Sequence, residues 1–370
     1  MDLLLVVYGN GSMVAYFIIL GDFLPLVCTD FGLQPPSLSS SPPAPYTTMS
    51  LRTRCILASL LVVVPLSMPR KLSALRYATP VALLSIIFTA VVVLAQAPTL
   101  YAAHVGQDGF GEVSIANFDW SFFKSFSILL FAYNCHINVV PVAAEMLSPS
   151  DSRITKVGLR TVMAELTSYG LISICGYLSF LGATAPNIMT NYGDIPAVTA
   201  CRLLLSCTVL VGIPTNVNPT VRSLQALVEA CPVQTEASPA REALLGCEPP
   251  EVGAGAEATP PPLAHSKSTS SEMIQGSEPL RYALTAFCIC LQVSLALLTD
   301  NVADVMGFLG SLMGTFLMML LPLAVLIKHP PEEFSRTRRI VTASILAFAA
   351  TVSAGSLVVM TLQNMGVVPA

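Results

Sequence analysis

Nine apolar runs of about 20 residues recur along this chain, and that repetition decides its fold class before any motif is read. They fall at 3–27, 54–68, 76–97, 121–146, 159–183, 200–224, 281–299, 302–328 and 338–362. A helix of that length crosses the hydrocarbon core of a bilayer, and only helices and closed barrels satisfy their backbone polar groups there. Charge content agrees: 11% of the 370 residues are charged, against about 25% in soluble domains. The chain reads as an all-α, polytopic helical membrane protein. The run at 54–68 is short and needs its flanks to span. The first run does not resemble a signal peptide, because Asp2 replaces a basic start and Asn10 and Asp22 interrupt it.

Loop charges set the expected orientation. With the N-terminus in the cytosol, inner connections hold Arg70, Lys71 and Arg76; Arg153, Lys156 and Arg160; Arg222, Arg241, Lys267 and Arg281; and Lys328, Arg336, Arg338 and Arg339. These are most of the 18 Lys and Arg, and the C-terminus then lies outside. The chain divides into six spans over 1–228, a loop over 229–279 and three spans over 280–370. The loop is rich in Pro, Glu, Ser and Gly, which predicts a disordered cytosolic linker able to carry partner contacts. A net charge of −4, with no basic cluster interleaved with aromatics, gives no sign of nucleic acid. Ten cysteines lack metal-ligand spacing; Cys28 and Cys55 flank one outer loop, where a disulfide is conceivable. No Walker loop, zinc-protease helix or nucleophile elbow occurs, so no enzyme, no catalytic residue and no metal site is expected.

The fourth run carries the most chemistry. Phe131-Ala132-Tyr133-Asn134-Cys135-His136-Ile137-Asn138-Val139-Val140-Pro141 places three polar side chains and a proline inside an apolar span. Each unpaired polar group in hydrocarbon costs several kcal/mol, so such a segment is tolerated where it lines a cavity. Broken helices of this kind hold solutes in secondary transporters. Tyr133, Asn134, His136 and Asn138 are the candidate solute-binding residues, with Asn10 facing them from the first span. His136 titrates near neutral pH in its unperturbed state, which fits a proton role. Asp22 and Glu165 are acids within or near spans, where a functional part and a structural one are both open. The sixth run ends Gly212-Ile213-Pro214-Thr215-Asn216-Val217-Asn218-Pro219, and its prolines should bend the helix and free carbonyls for a hard cation. Asp22, Gly212 and Thr215 are accordingly weak ion-coupling candidates, a simple kink being the plainer reading. Gly307, Gly310 and Gly314 share one helix face and predict close packing.

Four segments carry a resemblance. Val14-Ala15-Tyr16 with Gly21-Asp22-Phe23-Leu24-Pro25, Pro65-Leu66-Ser67 with Arg70-Lys71 and Leu75-Arg76-Tyr77, Phe131 to Pro141 with Glu145 and Pro149, and Arg202 to Arg222 with Pro214 and Pro219 appear in the order seen in the amino acid/auxin permease family. That family includes sodium-coupled neutral amino acid transporters and protist amino acid permeases. The resemblance implies two inverted five-helix repeats plus an extra helix, and amino acid transport by alternating access. It also implies a solute site between the broken first and sixth helices, flanked by the third and eighth. This sequence starts at what looks like the family's third helix, which leaves nine of eleven spans. Leu210-Val211-Gly212-Ile213 stands where hydroxyl residues often meet sodium, which weighs toward H+ coupling or exchange rather than Na+. The expected function is gradient-driven transport of neutral or cationic amino acids through the bilayer. The alternative is a non-transporting amino acid sensor or scaffold, or an inactive truncated paralogue. The expected location is the plasma membrane, then the vacuolar or lysosomal membrane.

Overall fold

The structure, a computed structural model, describes residues 2–33, 50–69, 78–115, 119–134, 143, 146, 148, 150–230, 278–299, 301–328 and 335–365. These residues form nine helices: α1 Asp2–Asp30, α2 Leu51–Ser67, α3 Ala78–His104, α4 Ser121–Ala132, α5 Asp151–Phe180, α6 Pro196–Ala230, α7 Glu278–Leu298, α8 Val302–Lys328 and α9 Arg336–Asn364. Short 3-10 turns at Leu181–Ala183 and Ile188–Thr190 link α5 to α6. Seven of the nine are long and apolar enough to cross a membrane; α2, of 17 residues, and α4, of 12, are shorter. Large apolar side chains such as Leu84, Ile174 and Phe348 stand exposed on the outside of the bundle. On an integral membrane protein that surface faces lipid, so its exposure carries no penalty.

Helix ends run past the apolar limits because polar flanking turns cap them. Ser50 accepts a bond from the Thr53 amide and starts α2 before its apolar run; Ser335 does the same for Arg338 and α9. The sixth span was expected over 200–224, with a bend at Pro214 and Pro219. Instead α6 continues through Pro214 and Pro219 to Ala230. Side chains occupy carbonyls around the prolines: Asn218 bonds Pro214 O at 3.3 Å and Thr220 bonds Asn216 O at 2.7 Å. α3 likewise runs to His104, beyond its expected end at 97.

α1 is the central helix. It packs most extensively on α6 and also meets α2, α7 and α8. Its Met13, Phe17, Ile18 and Leu20 are fully buried, joined by Ile56 and Val63 of α2, Ile213 and Val217 of α6, and Ile289 and Val293 of α7. A second apolar cluster brings Phe23 of α1 to Val92 and Val93 of α3, Phe180 of α5 and Val198 of α6. The expected glycine face of α8 is observed. A Cβ on Gly310 would collide with the Ser127 carbonyl oxygen of α4, and one on Gly314 would fall 2.8 Å from Leu130. Gly314–Leu320 is a π-helical stretch within α8, held to α9 by a 2.8 Å bond from Thr315 to Ser353.

Buried charges sit near helix ends. Arg202 of α6, 1% exposed, donates to Met189 O at 3.2 and 3.1 Å and to Tyr192 O at 2.6 Å, and lies 3.4 Å from Asp30 of α1. Arg281 of α7 bonds Met68 O after α2 at 2.5 Å and lies over the Tyr282 ring. Cys28 and Cys55 are both free thiols, so the conceivable disulfide is not formed.

Candidate functional site

α4 stops at Ala132, inside the run that hydropathy alone would extend to 146. The Tyr133 amide closes back on Leu129 O at 3.2 Å and the Asn134 amide on Phe131 O at 3.2 Å. Beyond the break, Asn134 turns its amide into a cavity of about 290 Å³. Its Oδ1 and Nδ2 are both buried, and neither has a hydrogen-bond partner among the described residues. An amide left so in the membrane interior costs on the order of 1–3 kcal/mol unless a ligand or water completes it.

The opposite wall is α1. Tyr8, Ser12 and Tyr16 line it at intervals of four residues, which sets them on one helix face. Phe131 of α4, Tyr169 of α5, Asn216 of α6 and Met306 of α8 complete much of the lining. Ser12 donates back to Tyr8 O at 2.8 Å and Asn216 to Gly212 O at 3.1 Å. The Tyr8 and Phe131 rings lie 6.0 Å apart. No charged side chain lines this cavity among the described residues. Its volume falls at the lower end of small-molecule pockets, about 300–1,000 Å³, and suits a solute of few atoms. The last-turn carbonyls and dipole end of α4 make that wall partly negative, so it favours an ammonium group.

The expected site residues separate on the structure. Asn134 lines the cavity. Tyr133 stands just behind, its ring edge-on to Tyr169 at 5.4 Å. His136 and Asn138 lie outside the described residues, as does Glu145. Asn10 does not face the break. It accepts a 2.9 Å bond from Gln292 of α7 and donates to Val6 O at 2.8 Å. The cause is helical periodicity: two residues from Tyr8 and Ser12 is about 200° around the axis, which points Asn10 to the other side of α1.

The ion-coupling candidates are each held by protein atoms. Asp22 accepts from Asn187 at 3.0 Å in the turn before α6. The Thr215 hydroxyl donates to Gly212 O at 2.6 Å, the same carbonyl that Asn216 uses. Residues missed from sequence are Tyr8, Ser12, Tyr16, Tyr169 and Asn216. The spacing of Tyr8, Ser12 and Tyr16 was the available signal.

A separate cavity of about 350 Å³ is lined by His104, Phe110, Phe180 and Tyr192. The His104 ring stacks on Phe110 with centroids 4.0 Å apart, its Nδ1–H donates to Ser179 O at 2.6 Å, and the Gly182 amide bonds Phe110 O at 2.8 Å. Tyr192, buried beside them, has its phenol pushed up in pKa by that burial.

A bundle of apolar helices with a small polar cavity where α4 ends defines a polytopic helical membrane protein. The chain belongs to the transmembrane amino acid transporter protein family, whose model matches residues 1–366. A Toxoplasma gondii protein, by name a candidate amino acid transporter AAT1, is 33% identical over 230 residues, covering 62% of this chain and 30% of that protein. Vacuolar amino acid transporter 5 of Saccharomyces cerevisiae is 24% identical over 352 residues, 94% of this chain and 75% of the relative. Sodium-coupled neutral amino acid transporter 7 of Xenopus laevis is 26% identical over 218 residues, 58% and 46% of the two chains. The chain thus spans less than half the length of the Toxoplasma and Xenopus relatives it matches.

Proposed function

We propose that this protein moves amino acids across a membrane by gradient-driven alternating access, with the solute held in the cavity at the α4 break. The observation that carries the reading is the Asn134 amide, buried, without partners among the described residues and lining a solute-sized cavity opposite Tyr8, Ser12 and Tyr16. Asn134 would hold the solute carboxylate through Nδ2 and the ammonium group through Oδ1, assisted by the α4 dipole end. Tyr133 braces Tyr169, which forms one wall. The names of the relatives support an amino acid as solute. Coupling to H+, coupling to Na+ and exchange are all compatible with the arrangement.

The N-terminus is placed in the cytosol and the C-terminus outside, on the Lys and Arg distribution. The plasma membrane is the first location. The vacuolar membrane is the second, favoured by the name of the yeast relative that covers most of this chain.

The test is counterflow in proteoliposomes holding the full-length native protein, preloaded with a mixture of the twenty amino acids. Asn134→Ala should cut the rate by about tenfold or more, the equivalent of losing one or two hydrogen bonds to charged groups. Asn10→Ala should leave the apparent affinity unchanged. An Asn134→Ala protein with unaltered kinetics would remove the solute from this cavity. Binding of a cytosolic partner without any counterflow would favour the sensor.

A further inference from the structure

Where α2 lies against the later part of α1, two cysteines come together. Gly21 marks the face of α1 on which α2 packs: a Cβ there would fall 2.8 Å from Ile56 Cδ1 and 3.1 Å from Arg52 Nε. Cys28 follows Gly21 by seven residues, about 20° short of two full turns, so it stands on the same face nearer the helix end. Cys55 lies between Arg52 and Ile56 in the second turn of α2. Side chains lean toward the N-terminus of their own helix, so Cys28 leans back along α1 and Cys55 leans toward the start of α2. The Cys55 thiol is in hydrogen-bonding and electrostatic reach of the Cys28 thiol.

Both thiols are free, and they differ in access. Cys55 is 7% exposed, whereas Cys28 is half-buried and open to a reagent. Cys175 and Cys201 offer a contrast: both sit beside Tyr192, but both are buried, so an oxidant has no entry there. The surroundings give a Cys28–Cys55 bond mechanical meaning. Arg52, which packs on Gly21, donates to Ala296 O at 3.4 Å and to Thr299 O at 3.1 Å at the end of α7. A covalent link would therefore tie the central helix α1 to α2 beside the point where α2 already grips α7. On the Lys and Arg distribution this end of the bundle faces away from the cytosol, toward compartments in which disulfides persist.

We infer that Cys28 and Cys55 are a redox-active pair that closes to a disulfide and fastens α1 to α2. The oxidant is an external disulfide such as oxidised glutathione. The Cys28 thiolate, which the reagent reaches first, attacks one of its sulfurs; a mixed disulfide forms and one glutathione leaves as thiolate. The Cys55 thiolate then attacks the Cys28 sulfur, the Cys28–Cys55 bond forms, and the second glutathione thiolate leaves. The two protons given up by the cysteines are taken by the two departing glutathione thiolates. The protein dithiol loses two electrons, and the glutathione disulfide gains them. The pair stands independently of the solute assigned to the cavity.

The experiment uses the full-length native protein in mild detergent, held in reduced or in oxidised glutathione, quenched with acid, alkylated and mapped by peptide mass. Cleavage by trypsin after Arg52 or Arg54 puts the two cysteines on separate peptides, which only a disulfide keeps together. The Cys28 and Cys55 peptides should be joined after oxidised glutathione and apart after reduced glutathione. Any other state of Cys28 in oxidised glutathione, whether free, carrying glutathione or linked to a different cysteine, overturns the pair. A second readout needs no variant. Oxidised wild type should need more sodium dodecyl sulfate to unfold than reduced wild type, by about a hundredfold in the unfolding constant, as expected for closing a loop of roughly 25 residues. Cys55→Ser should show the same resistance in both buffers. Equal resistance of wild type in both overturns the fastening of α1 to α2.

Discussion

The buried Arg202 tests whether its carbonyl cage or its ion pair holds the α1–α6 end of the bundle. Three contacts to backbone oxygens lie at 2.6–3.2 Å, while the Asp30 carboxylate is at 3.4 Å and already takes a 2.5 Å bond from Thr199. The short contacts should dominate. Arg202→Met removes every donor at once, leaving Met189 O, Tyr192 O and Asp30 without the guanidinium, which itself is 1% exposed. Breaking a buried charge pair from one side costs about 3–5 kcal/mol, and the abandoned carbonyls place this case at the upper end. Asp30→Asn leaves the cage intact and keeps an oxygen for Thr199, so only a long charged contact is lost, about 1–2 kcal/mol. The double variant should fall short of the sum by about 1 kcal/mol, because the Asp30 charge no longer needs Arg202. Unfolding of the purified protein in mild detergent, driven by increasing sodium dodecyl sulfate and read by intrinsic fluorescence, supplies the three differences. If Asp30→Asn is as damaging as Arg202→Met, the ion pair carries the clamp and the cage argument fails.

Further expectations follow from other contacts. Gly310→Ala drives a methyl group into the Ser127 backbone, which cannot rotate away, and should destabilise by about 3 kcal/mol or more. Gly355→Ala finds only the Phe123 ring at 3.6 Å and should be neutral or stabilise by up to about 1 kcal/mol; the same unfolding assay separates the two. Lys124 and Asp304 pair at 2.5 Å but are 28% and 47% exposed, so Lys124→Met should cost less than about 1 kcal/mol, and the cost should fall with added salt. Gln292→Leu strands the Asn10 carbonyl oxygen yet removes the Gln292 Oε1 that itself lacks a partner, so its net cost should stay within about 1–2 kcal/mol, without an effect on solute affinity.

Hydropathy made the nine helices legible because a bilayer leaves few alternatives for apolar runs of that length. The break after Ala132 was legible for the converse reason: Tyr133 and Asn134 have no cheap place in an unbroken apolar helix. Helix limits were less so, since α3 runs through Pro98 and α6 through Pro214 and Pro219, residues that as a rule interrupt a helix. Nothing in the sequence distinguished Arg202 from an ordinary interfacial arginine. Its cage is made of backbone oxygens at Met189 and Tyr192, which have no side-chain signature.

The orientation of α1 shows where sequence reading reaches its limit. A surface helix announces its buried face through amphipathicity, but α1 is apolar all round and buried from Gly9 to Val27 on most sides. Asn10 and Ser12 were therefore equivalent as polar residues at similar depth. What separates them is which neighbour occupies each side: α7 with Gln292 on one, the broken end of α4 on the other. The glycines next to them fix that choice. A Cβ at Gly9 would overlap the Thr220 hydroxyl of α6, and one at Gly11 would fall 2.6 Å from Leu309 of α8. Gly9 and Gly11 thus mark the two sides where other helices press closest, and so fix the rotation of α1 about its axis. That rotation puts Tyr8, Ser12 and Tyr16 at the cavity. In a helix without an amphipathic face, the small residues carry the rotational information that polarity does not.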